Sequence, residues 1–109
     1  MGSDVRRLED ILACAEELEG YLKGTDPAAF LGDKLRQRAV ERLITIIGEA
    51  AKQLDQSTRD SIDQPWQDII RLRDKAIHAY RSLRPERLYD IAAVSVPPLA
   101  EAIRAYLDH

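Results

Sequence analysis

The sequence is poor in the residue types that carry many familiar chemistries. Its 109 residues include one cysteine, one methionine, one tryptophan, one phenylalanine and two histidines. A lone cysteine, Cys14, forms no internal disulfide, so nothing asks for an oxidising compartment. Cys14 stands among Ile11, Leu12, Ala15 and Leu18 and reads as a small core hydrophobe. Glu16 and Glu17 beside it oppose the thiolate that a catalytic cysteine needs. There is no Cys/His cluster for zinc, no glycine-rich phosphate loop and no outstanding Ser/His/Asp arrangement. No apolar run approaches the roughly 20 residues of a membrane span. Arg6, Arg7, Glu9 and Asp10 interrupt any signal-peptide pattern. The expected location is cytoplasmic, with no membrane partner. No segment alternates with period two over a strand-like length, so no sheet is expected.

What is present is a soluble, charged, helix-forming chain. About a third of the residues are charged (32%) and under half hydrophobic (45%), the balance of a globular domain rather than a disordered one. The length suits a single domain over residues 1–109 with a modest core. The net charge of −3 excludes a general nucleic-acid sponge. It conceals a local bias, however. Residues 71–87 hold Arg71, Arg73, Lys75, Arg81, Arg84 and Arg87 against only Asp74 and Glu86. Such a patch can bind phosphate or can simply be a solvated basic surface.

Four long helical segments follow from periodicity. Val5, Leu8, Ile11, Leu12, Ala15, Leu18 and Leu22 define a first helix over about 4–23, ended by Gly24. Asp26-Pro27 reads as a cap and first helical residue opening a short turn that ends near Gly32. Leu35, Ala39, Leu43, Ile46, Ile47, Ala50 and Leu54 stripe a second helix over about 33–54, widened by Val40, Ile44 and Ala51. Gly48 in its middle costs roughly 1 kcal/mol relative to Ala and suggests the close approach of another helix. A polar connection over 55–64, with a short helix from Ser57, leads to a third helix from Gln64-Pro65 to about Tyr80. Arg84-Pro85-Glu86 opens a fourth to about 107, which Pro97-Pro98 should kink. Short connections between amphipathic helices imply an all-α, antiparallel bundle of four to five helices.

The third helix departs from an ordinary core helix. Positions 66, 70, 73, 77 and 80 form one stripe, apolar except for Arg73. A buried unpaired guanidinium is very costly. Arg73 is therefore either paired, with Glu49 one candidate, or turned to an interface or cleft. His78 lies five residues on, about 140° around a helix and about 7.5 Å along it. One protomer thus places the two poorly for gripping a single small group. Two copies meeting across a two-fold axis could alternate Arg and His around one cleft, which favours a homodimer. Asp74, four residues before His78, can fix its tautomer and raise its pKa for acid–base work, or can be an ordinary intrahelical contact. Tyr80 can pack or present its hydroxyl. His109, at the end of the sequence, is given no role.

Arg73-x4-His78-x-Tyr80 resembles the signature of the HepT-like toxins of the HEPN superfamily. Three further blocks resemble that family in register: Arg42-Leu43-Ile44-Thr45-Ile46-Ile47-Gly48-Glu49-Ala50-Ala51-Lys52, Pro65-Trp66-Gln67-Asp68-Ile69-Ile70-Arg71-Leu72-Arg73, and Val96-Pro97-Pro98-Leu99. Position 74 carries Asp where such motifs often carry Asn, position 79 Ala for Gly, and position 81 Arg for an aromatic.

The resemblance implies a HEPN-like bundle that homodimerises and cleaves RNA without a metal or other cofactor, its Arg73 and His78 lining a shared cleft. It also implies a cognate minimal nucleotidyltransferase antitoxin that adenylylates Tyr80. In that reading His78 acts as general base or acid and Arg73 stabilises the pentavalent phosphate, with Asp74 in support. Arg71, Lys75 and Arg81 hold flanking RNA phosphates. Two alternatives stand beside it. One is a catalytically inactive module that binds RNA or scaffolds the nucleotidyltransferase; the other is a purely structural bundle with Arg73 in an internal salt bridge.

Overall fold

Asp26 sits in extended backbone (φ −82°, ψ 165°), and its carboxylate accepts a hydrogen bond from the Ala29 amide at 2.7 Å, with Pro27 following as the first helical residue. The Asp-Pro pair thus starts a helix by satisfying an otherwise unpaired amide and pre-setting φ. In the computed structural model, residues 2–77 and 84–108 are described, with only the helical backbone at Gly2 and at 74–77. The elements are α1 (Gly2–Leu22), α2 (Pro27–Leu31), α3 (Lys34–Lys52), α4 (Gln56–Ser61), α5 (Trp66–Ile77), α6 (Pro85–Asp90), a π-helical turn (Ile91–Ser95) and α7 (Val96–Leu107). No strand occurs among the described residues. Gly24 follows α1 at φ +74°, the left-handed conformation that costs glycine least.

Among the described residues there are four long arms: α1, α3, α5 and the continuous α6–π–α7 rod. This is the all-α bundle expected, with α2 and α4 as short connectors. The arms α1 and α3 run antiparallel. Near the start of α1, Arg7 Nε donates to Gln53 Oε1 just past α3 at 3.2 Å. Near its end, the Tyr21 carbonyl accepts from the Arg36 guanidinium in the first turn of α3 at 2.9 Å. Asp33 caps α3, its carboxylate accepting from the Arg36 amide at 3.0 Å. Gln37 donates to the Phe30 and Leu31 carbonyls and so locks α2 onto α3.

One apolar core joins these arms. Its fully buried members include Leu8, Ile11 and Leu18 of α1, Phe30 of α2, Val40, Ile44 and Ile47 of α3, Ile91 of the π turn, and Leu99 and Ile103 of α7. Phe30 also meets Tyr89 edge to face, ring centroids 5.5 Å apart, tying α2 to α6. Cys14 is a buried core residue, and burial, helped by Glu17 and Asp10, pushes its thiol pKa up. A protonated, enclosed thiol is no nucleophile.

Two features differ from what periodicity predicts. Val5 stands 43% exposed, and the polar Asp4 takes the inward place at 3% exposure. Asp4 is accepted there because its Oδ2 receives the Thr58 hydroxyl at 2.6 Å and the Asp55 amide at 3.2 Å. It therefore acts as the cap that α4 lacks from its own Asp55. Leu35, expected in the core stripe, is 83% exposed. It belongs to the first turn of α3, where contact with the end of α1 and with α2 is made by Arg36 and Gln37 instead. At Pro97-Pro98, where a kink is expected, the rod is helical on both sides and a π-helical turn precedes the pair. The Val96 amide bonds to the Ile91 carbonyl, five residues back. That wider turn makes room where a proline ring would press on the preceding turn.

Candidate active site

The segment singled out above begins on α5. Pro65 precedes its first residue, Trp66, whose indole N–H donates to the Ile62 carbonyl at 2.8 Å and the Arg59 carbonyl at 3.0 Å. The buried ring fixes the start of α5 against α4 and the turn after it. From there Trp66 and Ile69 are buried, and Ile70, Leu72 and Arg73 are half-buried. The helix packs most extensively on α3.

Gly48 is a point of close approach in that packing. A Cβ placed on Gly48 would stand 2.8 Å from Arg73 Cβ, 3.0 Å from Arg73 N and 3.2 Å from the Ile69 carbonyl oxygen. Only a residue without a side chain lets α5 lie this close to α3. The contact expected of Gly48 is therefore made, and it is made with Arg73. The stem of the anomalous arginine is pressed against α3 at its root, and the residue as a whole is half-buried. Glu49, named above as a candidate partner for Arg73, lines a cleft of about 670 Å³ between α1 and α3 with Arg6, Arg7 and Asp10.

Arg71 occupies another side of the helix, about 160° from Arg73 by helical geometry. Its guanidinium is exposed and pairs with Asp68 at 3.2 Å. It lines a cleft of about 560 Å³ between α5 and the α6–π–α7 rod, together with Gln64, Asp68, Leu72, Arg87 and Ser95. Arg87 and Ser95 were not singled out in the sequence. The signal for Arg87 was its place at the end of the basic run of 71–87; Ser95 carries none.

Of the other candidates, Asp74 and Lys75 belong to the last turns of α5, where the helical backbone alone is described. His78, Tyr80 and Arg81 lie outside the described residues. Among the described residues, no group of three or more His, Cys, Asp or Glu is placed to hold a metal ion. No helix among them is long and apolar enough to cross a membrane.

Comparison with known proteins places this arrangement. The family model described as "Ribonuclease HepT-like" matches residues 11–106. A protein of Methanocaldococcus jannaschii named "Putative RNase" is 38% identical over 96 residues, covering 86% of this chain and 79% of that protein. The "Probable ribonuclease HepT" of Thermococcus cleftensis is 37% identical over 84% of each chain. A "Putative RNase" of Caldanaerobacter subterraneus is 33% identical over 92% of this chain and 90% of its own length. No solved structure matches. The match spans the core helices, the Gly48–Arg73 contact and the whole of the Arg73-x4-His78-x-Tyr80 segment, and the chain belongs to the HepT-like ribonuclease family.

Proposed function

We propose that this chain is a metal-independent endoribonuclease and the toxin of a toxin–antitoxin pair. The observation that carries the reading is Arg73, seated half-buried against Gly48 on a helix that leads into His78 and Tyr80, in a chain of the HepT-like ribonuclease family. The naming of three relatives as ribonucleases supports the substrate class.

In the proposed reaction the ribose 2′-oxygen attacks the adjacent phosphorus and the bond to the 5′-oxygen breaks. His78 takes the 2′-hydroxyl proton as base or supplies a proton to the leaving 5′-oxygen as acid. The products are a 2′,3′-cyclic phosphate and a 5′-hydroxyl end. Arg73 lies against the pentavalent phosphate, where a planar guanidinium offers paired donors to the developing charge. Asp74 orients the imidazole of His78. Arg71, Lys75 and Arg81 hold flanking phosphates, so binding weakens with salt. The separation of Arg73 and His78 around a helix favours a homodimer whose two copies complete one cleft.

The partner in this reading is a cognate minimal nucleotidyltransferase antitoxin that transfers AMP from ATP to the Tyr80 hydroxyl, which loses its proton as pyrophosphate leaves. The added phosphate and bulk beside the cleft repel the RNA backbone. The setting is the cytoplasm. Growth and intact mass test these points together. Expression alone should arrest cells, and Arg73→Ala should relieve the arrest. Co-expression with the neighbouring nucleotidyltransferase should add AMP to Tyr80 and restore growth. Harmless expression of the native chain, with no added mass in the partner's presence, would contradict the reading.

A further inference from the structure

The cleft between α5 and the α6–π–α7 rod has a composition suited to one class of ligand. Arg71 stands on one wall and Arg87 on the other, with Asp68 the only acidic group among its described lining residues. Its volume of about 560 Å³ falls within the roughly 300–1,000 Å³ of small-ligand sites. Leu72 and Pro98 supply apolar surface, and Gln64 and Ser95 supply a side-chain amide and a hydroxyl.

Neither arginine is committed to the fold. The Arg71–Asp68 pair is exposed on both sides, 65% and 75%, and such pairs contribute about 0–1 kcal/mol. Arg71 is thus free to exchange Asp68 for a phosphate at little cost. Arg87 is exposed, and the ion pairs among the described residues do not involve it. The cleft lies on another side of α5 from the Gly48 contact of Arg73, so a group bound in it is not the reacting phosphate.

We infer that this cleft is a nucleotide subsite for single-stranded RNA outside the scissile position. Arg71 and Arg87 straddle one backbone phosphate, Leu72 and Pro98 take the flat face of a base, and Gln64 and Ser95 meet its polar edge. The inference rests on the ribonuclease reading above and adds a second wall, Arg87 and Ser95, that the basic run on α5 does not supply. Asp68 competes with the phosphate for Arg71, which gives the site an internal brake.

Steady-state cleavage of a longer single-stranded RNA and of a dinucleotide tests it, with folding of each variant checked by circular dichroism. Arg87→Ala should raise KM for the longer RNA several-fold and for the dinucleotide much less. It should also make the dependence of log affinity on log salt shallower by about 0.7, the loss of one single-strand phosphate contact. Asp68→Asn should act in the opposite direction and lower KM for the longer RNA. A native protein that cleaves RNA while Arg87→Ala and Asp68→Asn leave its KM and salt slope in place overturns the subsite alone. A native protein that cleaves neither substrate overturns the ribonuclease reading, and the subsite with it.

Discussion

Gly48 and Arg73 touch across the α3–α5 interface so closely that a Cβ on Gly48 would stand 2.8 Å from Arg73 Cβ and 3.0 Å from its backbone nitrogen. A helix-interior glycine normally costs about 1 kcal/mol relative to alanine. Here it lets the helix that carries the motif arginine approach α3. The neighbouring atoms are backbone and Cβ, which cannot swing aside.

Replacing Gly48 by alanine should therefore push α5 outwards. The overpacking cost, about 1–3 kcal/mol, outweighs the gain of about 1 kcal/mol in helix propensity. Thermal unfolding should show Gly48→Ala several degrees below the native chain, with RNA cleavage reduced further than the loss of stability explains. Gly20 in α1 is the control. A Cβ there meets nothing within 4 Å, so Gly20→Ala should raise stability by up to about 1 kcal/mol.

Trp66 fixes the other end of α5. Its indole N–H serves the Ile62 and Arg59 carbonyls, and phenylalanine would fill most of the same space without that donor. Trp66→Phe should cost about 1–2 kcal/mol, mainly from the Ile62 carbonyl that loses this donor near the core, since the Arg59 carbonyl keeps the Ile62 amide. Chemical denaturation followed by far-ultraviolet circular dichroism measures it. An unchanged midpoint would remove Trp66 as an anchor.

Asp4 makes stability depend on acid. The Thr58 hydroxyl does most to hold its carboxyl below the ordinary value of 3.8, against the opposing pull of burial and with help from the Asp55 amide and Arg7. A folded-state pKa below the unfolded one favours the folded state at pH values above the unfolded pKa. That contribution is lost as pH falls through the folded pKa. The urea midpoint should thus fall as pH drops below about 4. Asp4→Asn should lower the neutral-pH midpoint and flatten the acid branch. An acid branch of the same depth in Asp4→Asn would assign the effect to other carboxylates.

Much of this architecture is written locally. Gly24, the Asp26-Pro27 start and the packing role of Gly48 each depend on residues within a turn or two, or on the absence of a side chain. Asp4 is different. Its burial depends on Asp55 and Thr58, more than fifty positions away, and periodicity gave its place to Val5. Leu35 fits the stripe of α3 perfectly well, but periodicity does not register which residues make the contacts at a helix start. The proline pair signalled a disturbance; that the helix would absorb it by a π-helical turn depends on the core holding Ile91, Val96 and Leu99 on one side. For the site, the break in the apolar stripe identified Arg73, and the structure adds what it leans on. Arg87 faces Arg71 across a cleft built by two separate helices, a relationship no linear pattern contains.

In the proposed function Arg73 and His78 do chemistry on RNA and are not props of the bundle. The most direct measurement is the incubation of purified native, Arg73→Ala and His78→Ala proteins with RNA, in the presence of a chelator, with the ends of the products identified and unfolding followed in parallel. The native protein should leave 2′,3′-cyclic phosphate and 5′-hydroxyl ends. Both variants should lose at least about a hundredfold in rate, the lower range for a general acid–base group or a charge-stabilising donor, with the variants still folded at the assay temperature. A native protein that leaves RNA intact, or folded Arg73→Ala and His78→Ala variants that cleave it at the native rate, would contradict it.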